Sequence, residues 1–330
     1  MTTINMKTPL VALLLGATSL SGAALAQDSF PKEVESALGT AEISEQPERV
    51  VTWGWSTQDV VIDLGIVPVG MPFFAYGGGE DGVLPWTEQA IADLGAEMPT
   101  ILPNSGEPPI EAIAALEPDV IIAPYSGITE EEYAALSQIA PVVAYPESAW
   151  FATWQQVVEM TGKALGLTEE ADELIAETEA FMQQQAAQYP ALQEVTFVNF
   201  IDRDDGQVSV RTAEDPRTRL LVDLGMEPIE QAPSASSFGS TYAYGLSYEN
   251  FDELDADVLV SFFDNPEDAE AFFARPYIQL APQVQSNALA RLEGEEITMA
   301  VSGAITPMSL RYGFPQYIEA VGEAAQRAVE

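Results

Sequence analysis

The side chains that most often carry enzyme chemistry are absent from this sequence, which contains no histidine and no cysteine. Imidazole bases, thiol nucleophiles and the nitrogen–sulfur donor sets of zinc, copper or haem-iron sites are therefore unavailable to it. No Gly-x-Ser-x-Gly elbow appears, and no carboxylate pair stands out among the 52 Asp and Glu residues. Tyrosine and carboxylate oxygens suit Fe(III), but nothing gathers them at ligand spacing, so no direct metal site is expected. Asp202-Arg203-Asp204-Asp205-Gly206 opens like a calcium loop, yet Ala213 stands at the twelfth position where Glu belongs. The segment reads as an acidic turn.

What remains is chemistry of recognition. Open α/β sheets bind ligands at the carboxyl ends of their strands. Trp53, Trp55, Tyr76, Tyr125 and Trp150 are expected there. Large planar side chains at those places suit an organic ligand with polarisable faces; the alternative is packing at the edge of a core, above all for Trp53. Apart from Arg49, every arginine lies at or beyond Arg203. Arg203 and Arg211 are assigned to an anionic ligand, because guanidinium pairs well with carboxylate-like oxygens. The alternative for them is pairing with Asp204, Asp205, Glu214 and Asp215. Arg217 and Arg219 are left to such pairing, since a cation in a first helical turn opposes the helix dipole. Arg311 and Tyr312 are further ligand candidates.

The elements that must position these residues come from a pattern that occurs twice. Ile110-Glu111-Ala112-Ile113-Ala114-Ala115-Leu116-Glu117-Pro118-Asp119-Val120-Ile121-Ile122 recurs without a gap as Tyr248-Glu249-Asn250-Phe251-Asp252-Glu253-Leu254-Asp255-Ala256-Asp257-Val258-Leu259-Val260. Asp63-Leu64-Gly65-Ile66-Val67-Pro68 is echoed by Asp223-Leu224-Gly225-Met226-Glu227-Pro228. Each half predicts a short helix, an Asp-containing turn and a continuous apolar strand, the pattern of a parallel α/β sheet. Two such halves predict two similar Rossmann-like lobes with a cleft between them.

A hairpin is expected with its turn at Leu38-Gly39, and a first buried strand over residues 48–53. Ser56 or Thr57 is expected to cap the following helix. Residues 73–104, with Gly77-Gly78-Gly79, read as one long functional loop. Helices are expected over 129–138 and 150–165, the latter ended by Gly166. A helix of roughly twenty residues, capped at Thr168, should then link the lobes. The domain reading is a signal peptide at 1–26, an N-terminal lobe at 27–165, a linking helix at 166–190 and a C-terminal lobe at 191–330.

Lys7, the short apolar run at residues 10–15 and Ala24-Leu25-Ala26 have the order of an export signal. Export predicts a protein outside the cytoplasm, and without cysteine it has no residue to carry a thioether-linked lipid. An untethered periplasmic protein is expected. The formal charge of −40 excludes nucleic acid and anionic lipid as partners. Such acidity reads either as a surface suited to a salty habitat or as complementarity to a cationic ligand.

In order and spacing, several segments resemble the periplasmic substrate-binding proteins of iron–siderophore ABC importers, a group that also binds vitamin B12 and haem. They are Ala37-Leu38-Gly39-Thr40 with Pro47-Glu48-Arg49-Val50-Val51, Asp63 to Gly70, Ile110 to Ala123, Ile139-Ala140-Pro141-Val142-Val143, and Thr306-Pro307-Met308-Ser309-Leu310. The resemblance implies two α/β lobes joined by one long helix, with a ferric siderophore held between them and delivered to an inner-membrane ABC permease. It also implies a monomeric iron-transport receptor with no intrinsic cofactor and no catalysis, Fe(III) arriving only inside its chelator. Glu111 and Glu249, equivalent in the two repeats, are implied to dock on permease arginines; the alternative is simple complementing of a helix N-terminus. Another chelate or a corrinoid, and a carboxylate-based hydrolase, remain the alternative functions.

Overall fold

Short apolar strands alternate with short helices through the first half of the chain, and the parallel sheet they predict is present. The computed structural model describes residues 29–330 apart from Phe238, Ser240 and Ala304. The export signal expected at 1–26 lies outside the described residues. β1 (Lys32–Ser36) and β2 (Gly39–Ile43) form the antiparallel hairpin expected around Leu38-Gly39. β3 (Val50–Thr52), β4 (Gly70–Pro72), β5 (Thr100–Leu102), β6 (Val120–Ile122) and β7 (Val142–Val143) then form an all-parallel sheet in the order β5-β4-β3-β6-β7. Their side chains are almost wholly buried, as a sheet covered on both faces requires.

The helices of this lobe are α1 (Thr57–Asp63), α2 (Pro85–Asp93), α3 (Ile110–Ala115), α4 (Glu130–Leu136) and α5 (Trp154–Leu165). Thr129 and Thr153 close capping boxes with Glu132 and Gln156. Several expectations need correction. Ser56 takes a left-handed conformation (φ 54°) before α1 and makes no side-chain cap bond. The 73–104 segment is not one loop, because Pro85 starts α2 and β5 follows it. Trp150 lies before α5, in a left-handed turn (φ 66°), and the helix begins at Trp154. Gly166 ends α5 as expected, in the left-handed region (φ 70°). The next helix, α6 (Thr168–Ala186), follows at once, with Leu167 rather than Thr168 at its N-cap.

The second half departs from a purely parallel plan. β8 (Thr196–Asp202), β9 (Gln207–Arg211), β10 (Glu227–Pro228), β11 (Ser236–Ser237), β12 (Ala243–Ser247), β13 (Val258–Phe263) and β14 (Leu289–Glu293) form one mixed sheet in the order β11-β12-β9-β8-β13-β14. β13 is parallel to both β8 and β14, whereas β9 and β12 are antiparallel insertions. The acidic turn after Asp202 is what folds β9 back on β8. β10 adds to the first two residues of β8, and β9 joins the same strand from Asn199 onward. Helices α7 (Pro216–Val222), α8 (Pro266–Phe273), α9 (Pro282–Gln285), α10 (Glu295–Ser302) and α11 (Pro307–Val329) complete the lobe. The repeated unit at Tyr248–Glu253 is a 3₁₀ segment, not an α-helix, interrupted by the non-helical Asn250.

Two α/β lobes joined by the long α6 therefore make up the molecule, and α11 ties them together. One buried cluster runs from Val60, Ile62 and Trp86 of the first lobe, through Leu310, Phe314 and Tyr317 of α11, to Val260 and Phe262 of the second. Each large side chain buried there contributes about 1.5–3 kcal/mol. No described helix is long and apolar enough to cross a membrane.

Candidate functional site

The cleft residues of the first lobe are set by the ends of β3 and β6 and the loop after β7. Gly54 (φ 95°) brings the chain against the Tyr125 carbonyl, where a Cβ would sit 2.3 Å from that oxygen; only glycine fits. The Trp55 amide then donates to the Tyr125 carbonyl at 3.0 Å, and the Trp150 amide donates to that of Ser126 at 3.3 Å. These bonds assemble an aromatic group. Trp150 meets Trp55 edge to face at 6.2 Å between ring centres and Tyr125 at 5.7 Å. Trp55 is 39% exposed and Trp150 42%, unusual for tryptophan and consistent with surfaces that await a partner.

Opposite them, the second lobe contributes Asp215, Pro216, Arg217, Tyr242 and Gly303, enclosing with Trp55, Tyr125 and Trp150 a cavity of about 210 Å³. Asp215 is fully buried and caps α7, accepting from the Arg217 amide at 2.8 Å. The Arg217 guanidinium grips the same carboxylate with Nε at 2.8 Å and Nη2 at 2.5 Å. Arg217 thus holds the Asp215 carboxyl below the usual carboxylate range against the opposing effect of burial. Burial raises the Tyr125 phenol, so it stays a neutral hydrogen-bonding group. Tyr242 reaches across to Phe151, with ring centres 5.4 Å apart.

The structure divides the residues expected to bind ligand. Trp55, Tyr125 and Trp150 come together in the cleft. Trp53, only 4% exposed, packs in the first lobe's core with Val51, Ile113 and Ile121, so packing accounts for it. Tyr76 donates to Asp264 at 2.6 Å across the lobe seam. Arg311 pairs with Asp63, and Tyr312 donates to Glu296 at 2.8 Å while packing on Trp86. These three lie outside the aromatic cavity. Arg203 is exposed and pairs with Asp205 in the acidic turn. Arg211 is buried within the second lobe, donating to the Asn199 amide oxygen at 3.2 Å. The sequence leaves Arg217 to pairing with nearby acids, and it does pair with Asp215; that this pair faces the cleft, with Tyr242 and Gly303 beside it, is not anticipated, and the signal for it was Asp-Pro-Arg at a helix start.

Glu111 and Glu249 occupy the first turns of their segments, both exposed. Among the described residues, no group of three or more acidic side chains is arranged to hold a metal ion.

Comparison with known proteins places this geometry in context. Residues 50–295 match the family model for periplasmic binding proteins. The chain is 32% identical to the crystal structure of PiaA from Streptococcus pneumoniae TIGR4 in complex with ferrichrome, which superposes with a TM-score of 0.78 over 89% of this chain and 99% of that one. The ferric enterobactin-binding periplasmic protein FepB of Escherichia coli O6:H1 is 26% identical over 302 residues, covering 86% of this chain and 91% of the relative. The Fe(3+) dicitrate-binding periplasmic protein FecB of Escherichia coli K12 is 27% identical over 222 residues, covering 66% of this chain and 68% of the relative.

Proposed function

The chain belongs to the periplasmic binding protein family, and from that premise we propose that it captures a ferric siderophore and delivers it to an inner-membrane ABC permease. The observation that carries this reading is the interlobe cavity that Trp55, Tyr125 and Trp150 share with the Asp215–Arg217 pair. Aromatic faces pack against the apolar rim of an organic chelate, and a guanidinium pairs with its residual oxygen charge. Relatives named for ferric enterobactin and ferric dicitrate, and a neighbour holding ferrichrome, favour an iron chelate as cargo. At about 210 Å³ the cavity is smaller than the roughly 300–1,000 Å³ typical of organic-ligand sites, so the cargo would remain partly in solvent.

On this reading iron enters only inside its chelator, and the protein supplies neither a metal ligand nor a reaction. Residues 27–165 and 191–330 serve as the two lobes and 166–190 as their link. The protein works as an untethered periplasmic monomer, the sequence offering no cysteine for a lipid. Glu111 and Glu249, one exposed acid on each lobe, dock on the permease.

Tryptophan fluorescence tests the cargo. Titration with ferric hydroxamate, catecholate and carboxylate siderophores should give saturable one-to-one quenching by at least one class, with the recovered ligand unchanged. A ferric salt free of organic chelator should give no stoichiometric site. Saturation by cobalamin alone would reassign the protein to corrinoids, and hydrolysed ligand would reassign it to catalysis.

A further inference from the structure

A second cavity, of about 570 Å³, lies inside the C-terminal lobe where two strands part company. β10 pairs with β8 at Thr196 and Phe197, while β9 pairs with it from Asn199 onward. Phe197, Val198, Pro228 and Val210 border the opening between them, and Ile229 and Gln231 after β10, Ser237 of β11 and Thr241 before β12 line its other side.

The polar groups of this cavity are unusual. Arg211, 7% exposed, has its hydrogen bond on the neutral Asn199 amide, and among the described residues no carboxylate lies within ion-pair distance of it. The nearby carboxylate of Asp215 is taken up by Arg217. Glu214 also lines the cavity, but it is exposed and makes no ion pair with Arg211. The Asn199 side-chain nitrogen and the Thr218 hydroxyl are buried without a hydrogen-bond partner, and both residues are 1% exposed. Burial and the charge of Arg217 press the Arg211 guanidinium down to about 9. Asp215 acts on Arg211 only at longer range, and the guanidinium lies over the Phe262 ring at 5.3 Å. A buried cation without a direct ion pair and buried donors without acceptors are each costly, and one oxyanion would relieve all three.

We propose that this cavity is a small-oxyanion site, in which Arg211, Asn199 and Thr218 bind a carboxylate, sulfate or phosphate group. The site does not depend on the proposed cargo. Its rim residues Glu214 and Thr241 adjoin Asp215 and Tyr242 of the aromatic cleft, so the anion is either a free ion or an anionic arm of the cargo.

The test uses the whole protein, prepared in chloride buffer without oxyanions, with sulfate, phosphate and acetate as separate probes. Ionic strength is held constant with sodium chloride, because screening alone stabilises so acidic a chain. At least one oxyanion should raise Tm saturably and titrate one-to-one by calorimetry. Arg211→Gln should weaken that binding about ten- to hundredfold, as expected for loss of a charge-assisted contact. Thr218→Val keeps the side-chain shape, and so guards against misfolding of the arginine variant; it should weaken binding about tenfold. Competition between the oxyanion and a carboxylate-bearing ferric chelate supports the site and identifies it as receiving a ligand arm; additive binding supports it as a site for a free ion. Equal responses to chloride and all three oxyanions, or wild-type titration by both variants, would overturn the proposal.

Discussion

The Thr306 hydroxyl donates to the Asp59 carboxylate at 3.0 Å, joining residues 247 apart in sequence across the seam between the lobes. Trp86 and Thr87 donate to the same buried carboxylate at 2.7 and 2.6 Å. Burial outweighs these bonds and, with the Asp63 charge added, pushes Asp59 up to about 6. Burial likewise raises Asp63 to about 6 despite Arg311.

Stability should therefore fall as pH rises from about 4 to about 6. In that window the folded state holds protons that the unfolded chain, with carboxyls near 3.9, has released. The contribution of Asp59 to stability is fully present below the unfolded value and is lost as pH passes the folded one, a change of order 3 kcal/mol at most. Repulsion among the other acids acts in the same direction. Asp59→Asn should consequently flatten the decline of Tm with pH, whatever its cost at a single pH. An unchanged slope would show that general repulsion accounts for the whole effect.

Replacing the aromatic residues of the cleft should separate recognition from interlobe bracing. Trp55→Ala and Trp150→Ala each remove a large, partly exposed ring and should weaken cargo binding at least about tenfold. Tyr76→Phe deletes only the bond to Asp264 across the seam. It should lower stability by about 1 kcal/mol and shift affinity less than threefold. Fluorescence titration and thermal melts on the same preparations decide between the two roles.

The two-lobe plan was legible because its signals are local: unbroken apolar strands, Gly166 at a helix end, and the repeated unit at 110–122 and 248–260. What escaped depended on partners distant in sequence or on backbone angles. Trp53 and Trp55 look alike in sequence, yet the first enters the core and Gly54 turns the second into the cleft. The turn at 202–206 was recognisable, but not that it folds β9 antiparallel to β8 and makes the second sheet mixed. A cation in the first turn of α7 opposes the helix dipole, and Asp215 two residues earlier offsets this by capping the helix and pairing with Arg217, a pair whose place in the cleft depends on the opposite lobe.

Arginine substitutions should follow that revised geometry. Arg217→Ala should weaken binding of an anionic chelate about ten- to hundredfold, and Arg217→Lys should restore only part of it, since lysine lacks the planar fork. Arg203→Ala should change affinity little, because its guanidinium pairs with Asp205 in an exposed turn. Equal losses at both positions would favour a diffuse electrostatic effect over direct contact.

Delivery should be separable from capture at Glu111 and Glu249. Both acids are exposed in the first turn of the repeated unit, Glu111 on α3 and Glu249 on the corresponding 3₁₀ segment. Neither lines the aromatic cavity or the anion cavity, so ligand affinity should not depend on them. A permease presenting two matched cationic sites would engage one acid from each lobe. Glu111→Ala with Glu249→Ala should leave cargo affinity within about twofold of wild type yet abolish uptake through the cognate importer, and reversal of both to Arg should be worse, because repulsion replaces a lost contact. The helix-complementing alternative predicts something else: at most about 1 kcal/mol of stability lost per site and normal uptake at equal periplasmic abundance. Transport assays normalised to receptor abundance distinguish the two, and normal uptake by the double Ala variant would return both residues to that local role.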